Sequence, residues 1–145
     1  MKLNYDCVRD VLLTLEDKLS IEESTYTLDE DEETYFSFSF IDVNGLSKIE
    51  NLKKYDKKDI FYAVNKLNEA GFIEAESTSG DDTCGYLISD ITYPGHEFLQ
   101  SIKSDTVWND VKKVSGKVGT MSFPIISSIA GSVISKIISS SLGLI

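Results

Sequence analysis

"YDKKDIFYAVNKLNEAGFIEAE", Tyr55 to Glu76, carries the reading of the fold. Its residues Ile60, Ala63, Val64 and Leu67 recur at helical spacing and form one apolar stripe. Asp56 stands where an N-cap carboxylate accepts from the first turn, and the helix dipole favours the acid Asp59 just inside it. Gly71 ends the helix, because a left-handed residue after the last turn costs glycine nothing. Beyond it, "FIEAE" and "CGYLISDIT" flank the polar turn "STSGDD", which predicts a hairpin with a polar tip.

Upstream, "NYDCVRDVLLTLEDKL" (Asn4–Leu19) places Val8, Val11, Leu12, Leu15 and Leu19 on one helix face. "TYFSFSFI" (Thr34–Ile41) alternates Phe36, Phe38 and Phe40 with serines, the pattern of a half-buried strand. "VNG" at Val43–Gly45 reads as a turn, and "LSKIENLKKY" as a short helix from Ser47. Helix, strand, short helix, longer helix and hairpin, in that order, describe a winged helix-turn-helix. The expected class is therefore α+β, mainly α, with residues 1–118 as the winged-helix domain.

The next segment holds the only histidine and the only tryptophan. In "ITYPGHEFL", Thr92 caps a helix, Pro94 suits its first turn, and Phe98, Leu99 and Ile102 face inward. His96 then falls on the outer side. Zinc binding through a His-Glu-x-x-His motif would need a second histidine at position 100, which is Gln100. Ser104 begins another helix, with Val107, Val111, Val114 and Val118 at helical spacing and Trp108 as a packing or partner-contact residue.

Two phrases, "VNKLNEAGFIEAE" (Val64–Glu76) and "YLISDITYPGHEFLQSI" (Tyr86–Ile102), together with "VWNDVKK", resemble an uncharacterised YjcQ-like domain-of-unknown-function family. That resemblance covers roughly residues 1–118. It implies a winged-helix fold and a setting in Gram-positive bacteria and their phages and prophages. The chain departs from DNA-binding winged helices in its acidic run and acidic wing tip.

Charge sharpens the functional classes. The net charge is −10, against a generic affinity for nucleic acid. Residues 1–50 hold 13 acids and 4 bases, and "DEDEE" at Asp29–Glu33 is the densest run. Such a run is expected to be a solvated loop; the sharper alternative is an acidic face that meets a basic partner or imitates a DNA backbone. Cys7 and Cys84 are too isolated for a zinc knuckle and are expected to be buried free thiols in a reducing cytosol. The start "MKLNYDCVRD" lacks the apolar core of a signal peptide, so a cytoplasmic location is expected.

Chemical motifs fail on spacing. "SGKVGT" would need glycine at Val111 and a hydroxyl at Val118 to be a phosphate loop, and the EF-hand-like start at Asp29 meets Thr34 and Phe40 at its sixth and twelfth positions. No enzyme, cofactor or metal is expected. Lys53, Lys54, Lys57 and Lys58, continued by Tyr62, Asn65 and Lys66, form the candidate DNA- or partner-binding face. No arginine lies among them, and Asp81 and Asp82 at the wing tip would repel phosphate. A protein partner, such as a host factor, is thus the leading expectation, and a DNA-binding regulator using helix 56–70 the alternative.

After a hinge at residues 119–124, "IISSIAGSVISKIISSSLGLI" (Ile125–Ile145) forms an Ile/Ser-rich tail. Ile126, Ile129, Val133, Ile134, Ile137 and Ile138 define one face of an amphipathic helix, with serines and Lys136 opposite. Its 21 residues could reach about 31 Å at ~1.5 Å per residue, a bilayer's apolar thickness. Three covers are open: the chain's own domain, further copies of the tail, or a membrane. Pairing between chains into a homo-oligomer is the favoured one, and a membrane-active effector the remaining reading.

Overall fold

A hydrogen-bonded cap starts the first helix: the Asn4 carboxamide oxygen accepts from the Cys7 N–H at 3.0 Å, and α1 runs Tyr5–Lys18. The structure is a computed structural model that describes residues 1–80 and 83–143. Asp81 and Asp82, the expected acidic wing tip, lie outside the described residues, as do Leu144 and Ile145 of the tail. The fold is mixed α+β and mainly helical, with six α-helices and two small antiparallel sheets among the described residues.

Residues 1–95 form one compact unit. After α1, strands β1 (Ile21–Leu28) and β2 (Asp31–Phe38) pair with each other and, among the described residues, with no other strand. Short β3 (Ile41–Asp42) leads into α2 (Val43–Leu46), a single 3-10 turn at Glu50–Leu52, and α3 (Lys57–Glu69). Strands β4 (Ile73–Ser79) and β5 (Cys84–Ile91) complete a three-stranded sheet ordered β3-β5-β4. Val8, Val11, Leu12 and Leu15 of α1 are buried with Ile60, Ala63, Val64 and Leu67 of α3 and Ile88 of β5. Each Val, Leu or Ile among them contributes about 1.5–3 kcal/mol of burial, so the two helical stripes hold this unit together.

Three expectations change in this unit. "VNG" is not a turn but the body of α2, because Asp42 caps it from one residue earlier, accepting from the Asn44 N–H at 2.8 Å. The short helix expected from Ser47 is reduced to the 3-10 turn. Phe36 and Phe38 do not lie on a half-buried strand: both are exposed, as is Phe40, and the chain leaves β2 before entering the sheet at Ile41. Alternation reported a pleated strand correctly; it could not report that no element of the unit covers the apolar face.

The join from α3 to the next helix is tightly made. Gly71 adopts φ 77°, and the Thr92 hydroxyl donates to its carbonyl at 2.6 Å while accepting from the Gly95 N–H at 3.2 Å. The Thr92 N–H meets the Phe72 carbonyl at 3.0 Å. A Cβ on Gly95 would overlap that same carbonyl and approach Ile91 Cγ2 to 2.9 Å, so backbone lies against backbone here.

Helix α4 (Tyr93–Ile102) carries the chain across the Gly95/His96 division into a second compact unit, residues 96–145. This division precedes the boundary expected after Val118. Helix α5 (Asp105–Val118) is capped by Ser104 and ends on left-handed Gly119. Helix α6 (Phe123–Ser141) is capped by Ser122 with Pro124 in its first turn, starting two residues before the expected tail. Phe98, Leu99, Ile102, Val107, Trp108, Val111, Ile126 and Ala130 are buried, and the Phe98 and Phe123 rings meet edge-on at 5.1 Å. Trp108 is thus a packing residue.

Candidate interaction surfaces

The lysine face begins where α3 begins. Asp56 accepts from the Lys58 N–H at 3.2 Å and caps the helix, with Lys57 and Lys58 in its first turn. Both are exposed, and no salt bridge engages either among the described residues. The other cations are engaged. Lys53 meets Glu50 at 3.1 Å, Lys54 meets Asp10 at 3.3 Å, and Lys66 meets Glu69 at 2.8 Å. The hydrogen bond from Lys66 to Glu69 raises the ammonium pKa, so its charge is held but locally balanced.

The polar readers on α3 are also occupied. Asn65 donates to the Tyr86 hydroxyl at 2.6 Å, which ties α3 to β5. Tyr62 lies 5.3 Å from the Lys66 ammonium, and the Tyr86 ring tilts against Phe61 at 5.5 Å. The structure therefore brings Lys57, Lys58, Tyr62, Asn65 and Lys66 onto one helix. It leaves two of the four lysines around the turn unpaired.

The β1–β2 hairpin is a surface that sequence reasoning missed. Its register pairs Ile21 with Phe38 and Glu23 with Phe36, so Ile21, Phe36 and Phe38 share one face. Tyr26 and Tyr35 occupy the other, their rings 5.8 Å apart. Every residue of both strands except Ser24 is exposed. Asp29 and Glu30 form the reversal, both at positive φ (53° and 70°), and Asp31–Glu33 belong to β2. The acidic run is a hairpin end, not a loop. The β-branched residues of "IEESTYTL" (Ile21–Leu28), alternating at Ile21, Thr25 and Thr27, were the available signal for β1.

On α6 the expected stripe divides along its length. Ile126 and Ala130 are fully buried, Ile129, Val133 and Ile134 are half-buried, and Ile137 and Ile138 are exposed. Val114 of α5 with Ile129, Val133 and Lys136 of α6 lines an open groove of about 260 Å³ between the two helices. Among the described residues α6 is the one helix long and apolar enough to cross a membrane, judged by length and composition.

One of the two free thiols departs from expectation. Cys7 is buried, and burial followed by the nearby Asp59 and Asp10 charges pushes its pKa up to about 12. Cys84 is exposed on β5, because its strand end lies beyond the covered part of the sheet. No group of three or more metal-ligating side chains occurs among the described residues, and His96 is exposed.

The family described as "Hypothetical protein (DUF2513)" matches residues 2–122. The chain belongs to this family. An uncharacterized protein of Haemophilus influenzae is 29% identical over 139 residues, covering 95% of this chain and 99% of its own length. No solved structure matches. A family of unknown function was expected and is found; the matched family is DUF2513, and neither match supports the YjcQ-like or Gram-positive phage attribution. The DUF2513 match stops at Met121–Ser122, immediately before α6.

Proposed function

We propose that this DUF2513 protein is a non-enzymatic, cytoplasmic winged-helix protein that acts by binding a protein partner and self-associates through α6. Supporting the winged-helix reading are the order α1, β3, α2, α3, β4, β5, with the β1–β2 hairpin inserted after α1, and the sheet order β3-β5-β4, with β4–β5 as the wing. The observation that carries the functional reading is the internal commitment of the α3 face: Lys53, Lys54, Lys66 and Asn65 are all engaged within the chain. A DNA reader needs such groups free for phosphate and base edges. Of the lysines on this face, Lys57 and Lys58 alone have no salt bridge among the described residues, so phosphate attraction is weak and falls steeply with salt.

A DNA-binding regulator is the second reading, favoured by the position of Lys57 and Lys58 at the start of α3. Fluorescence anisotropy at ~150 mM salt separates the two, using duplexes from the protein's own upstream region. Absence of duplex binding supports the protein-partner reading; binding that is lost in Lys57→Ala/Lys58→Ala overturns it. Light scattering coupled to gel filtration tests self-association. Full-length protein is expected to be an oligomer and a chain ended before Ser122 a monomer. Co-sedimentation of the full chain, but not the shortened one, with liposomes would replace self-association by membrane binding.

A further inference from the structure

The β1–β2 hairpin combines three properties that together specify an occupant. First, it is uncovered on both faces, and a two-stranded hairpin alone is marginally stable in water. Second, its Ile21, Phe36 and Phe38 form an exposed apolar cluster on one face, each side chain at least half exposed. Third, residues 21–40 hold seven carboxylates and no lysine or arginine.

We propose that this hairpin is a docking arm for a different protein, one whose surface sets an apolar pocket beside a patch of lysine and arginine. The proposal deepens the protein-partner reading and rests on it. Charge selects the occupant. Two hairpins packed through their Phe36 faces would bring Glu23 and Glu32 against the same acidic face, and the whole chain carries −10, so a second copy fits poorly. Nucleic acid and anionic lipid are repelled by the same field. A cationic rim around an apolar pocket satisfies both parts of the hairpin, because the aromatic anchors give affinity and the carboxylates steer approach.

The spacing on the partner follows from the strand. On the face of Phe36 the carboxylates are Glu23, directly across from Phe36, and Glu32, four residues along β2. At ~3.4 Å per residue the cationic patch starts beside the apolar pocket and reaches roughly 14 Å from it. The unpaired outer edges of β1 and β2 add main-chain donors and acceptors that a partner strand can use.

The test is site-specific photo-crosslinking of the full chain in its native host. A benzoylphenylalanine replaces Phe36 in one variant, Lys57 in a second and Ile138 in a third, with adducts mapped by mass spectrometry. The expected result is a protein adduct from position 36, on a lysine- and arginine-rich surface. Its yield should fall at least tenfold when Glu23→Lys/Glu32→Lys is added. A thermal melt should confirm an unchanged core. Protein adducts from position 57 or 138 alone would overturn the docking arm while leaving the partner reading intact. Adducts from position 36 to a second copy, to nucleic acid or to lipid, or a yield indifferent to charge reversal, would also overturn it. No protein adduct from any position would sink both readings.

Discussion

Tyr55 donates its phenolic hydroxyl to the Asp10 carboxylate at 2.6 Å, and Lys54 reaches the same carboxylate oxygen at 3.3 Å. This pair fastens α1 to the segment that precedes α3. Burial, then the Asp10 hydrogen bond, pushes the Tyr55 pKa far up, so the phenol stays protonated in the folded chain. Tyr55→Phe removes a hydrogen bond to a charged acceptor and is expected to cost about 1.5–3 kcal/mol. Lys54→Ala should cost less than about 1 kcal/mol, because its ammonium is largely in water. Urea unfolding of the two variants checks the contrast.

Gly95→Ala should destabilise the fold well beyond an ordinary surface change, because the new methyl meets the Phe72 carbonyl, which is backbone and cannot rotate away. Gly116→Ala is the control. It lies in α5 with open space around it, so it should gain roughly 0.5–1 kcal/mol of helix propensity. Equal effects at the two positions in thermal melts would show that the close approach is not made.

The thiols should react unequally. Cys84 is exposed and is expected to take iodoacetamide at pH 8 in the folded protein, while buried Cys7 reacts only after unfolding. Alkaline stability follows the same contrast. The folded state holds the Cys7 proton up to about pH 12, whereas the unfolded chain releases it near the ordinary thiol value of 9.0. Between those limits the folded state binds more protons, so stability falls as pH rises and levels off above. Cys7→Ala should lower stability overall yet flatten this decline, measured by urea titrations from pH 8 to 11.

Helix α6 gives a prediction along its length. Ile126→Ala should cost about 2–5 kcal/mol, the usual loss for a fully buried side chain. Ile138→Ala should stay within about 0.5 kcal/mol in a dilute, monomeric sample. If Ile138→Asp nevertheless dissociates an oligomer, the exposed half of α6 is the contact between chains.

Asp29 and Glu30 occupy left-handed backbone at the hairpin reversal, where a residue with a Cβ costs about 1–2 kcal/mol. Replacing the pair by Asn-Gly should relieve this and match the two-residue turn the strands require. Slower amide exchange in residues 21–38, with exchange in α3 unchanged, is the expected reading.

How much of this was legible beforehand depends on where the partner of each pattern lies. The stripe of α3, the Asp56 and Ser104 caps, the Thr92 start of α4 and the β4–β5 hairpin were readable because their signals are local. The Asp42 cap was hidden by "VNG", whose glycine suggests a turn although α2 tolerates it at Gly45. Phe36 and Phe38 misled for a different reason: periodicity fixes which side chains share a face, never whether anything covers it. Among the candidate lysines, sequence proximity grouped all four. Only geometry separates Lys53 and Lys54, drawn to Glu50 and Asp10, from Lys57 and Lys58.

At the neck of the hairpin, the Ser39 N–H bonds to the Ser20 carbonyl at 2.9 Å, and the Ser20 N–H to the Ser39 hydroxyl at 3.0 Å. Entry and exit are therefore stitched together, and whatever lies between them is a cassette. The scaffold senses a closed two-point splice, and lengthening such an excursion adds only about 0.6 kcal/mol per doubling. Residues 21–38 can thus be shortened, exchanged or grafted elsewhere with little consequence for α1 or α3. On the docking-arm proposal, exchanging this one insert would change which partner surface the frame accepts while its core packing stays the same.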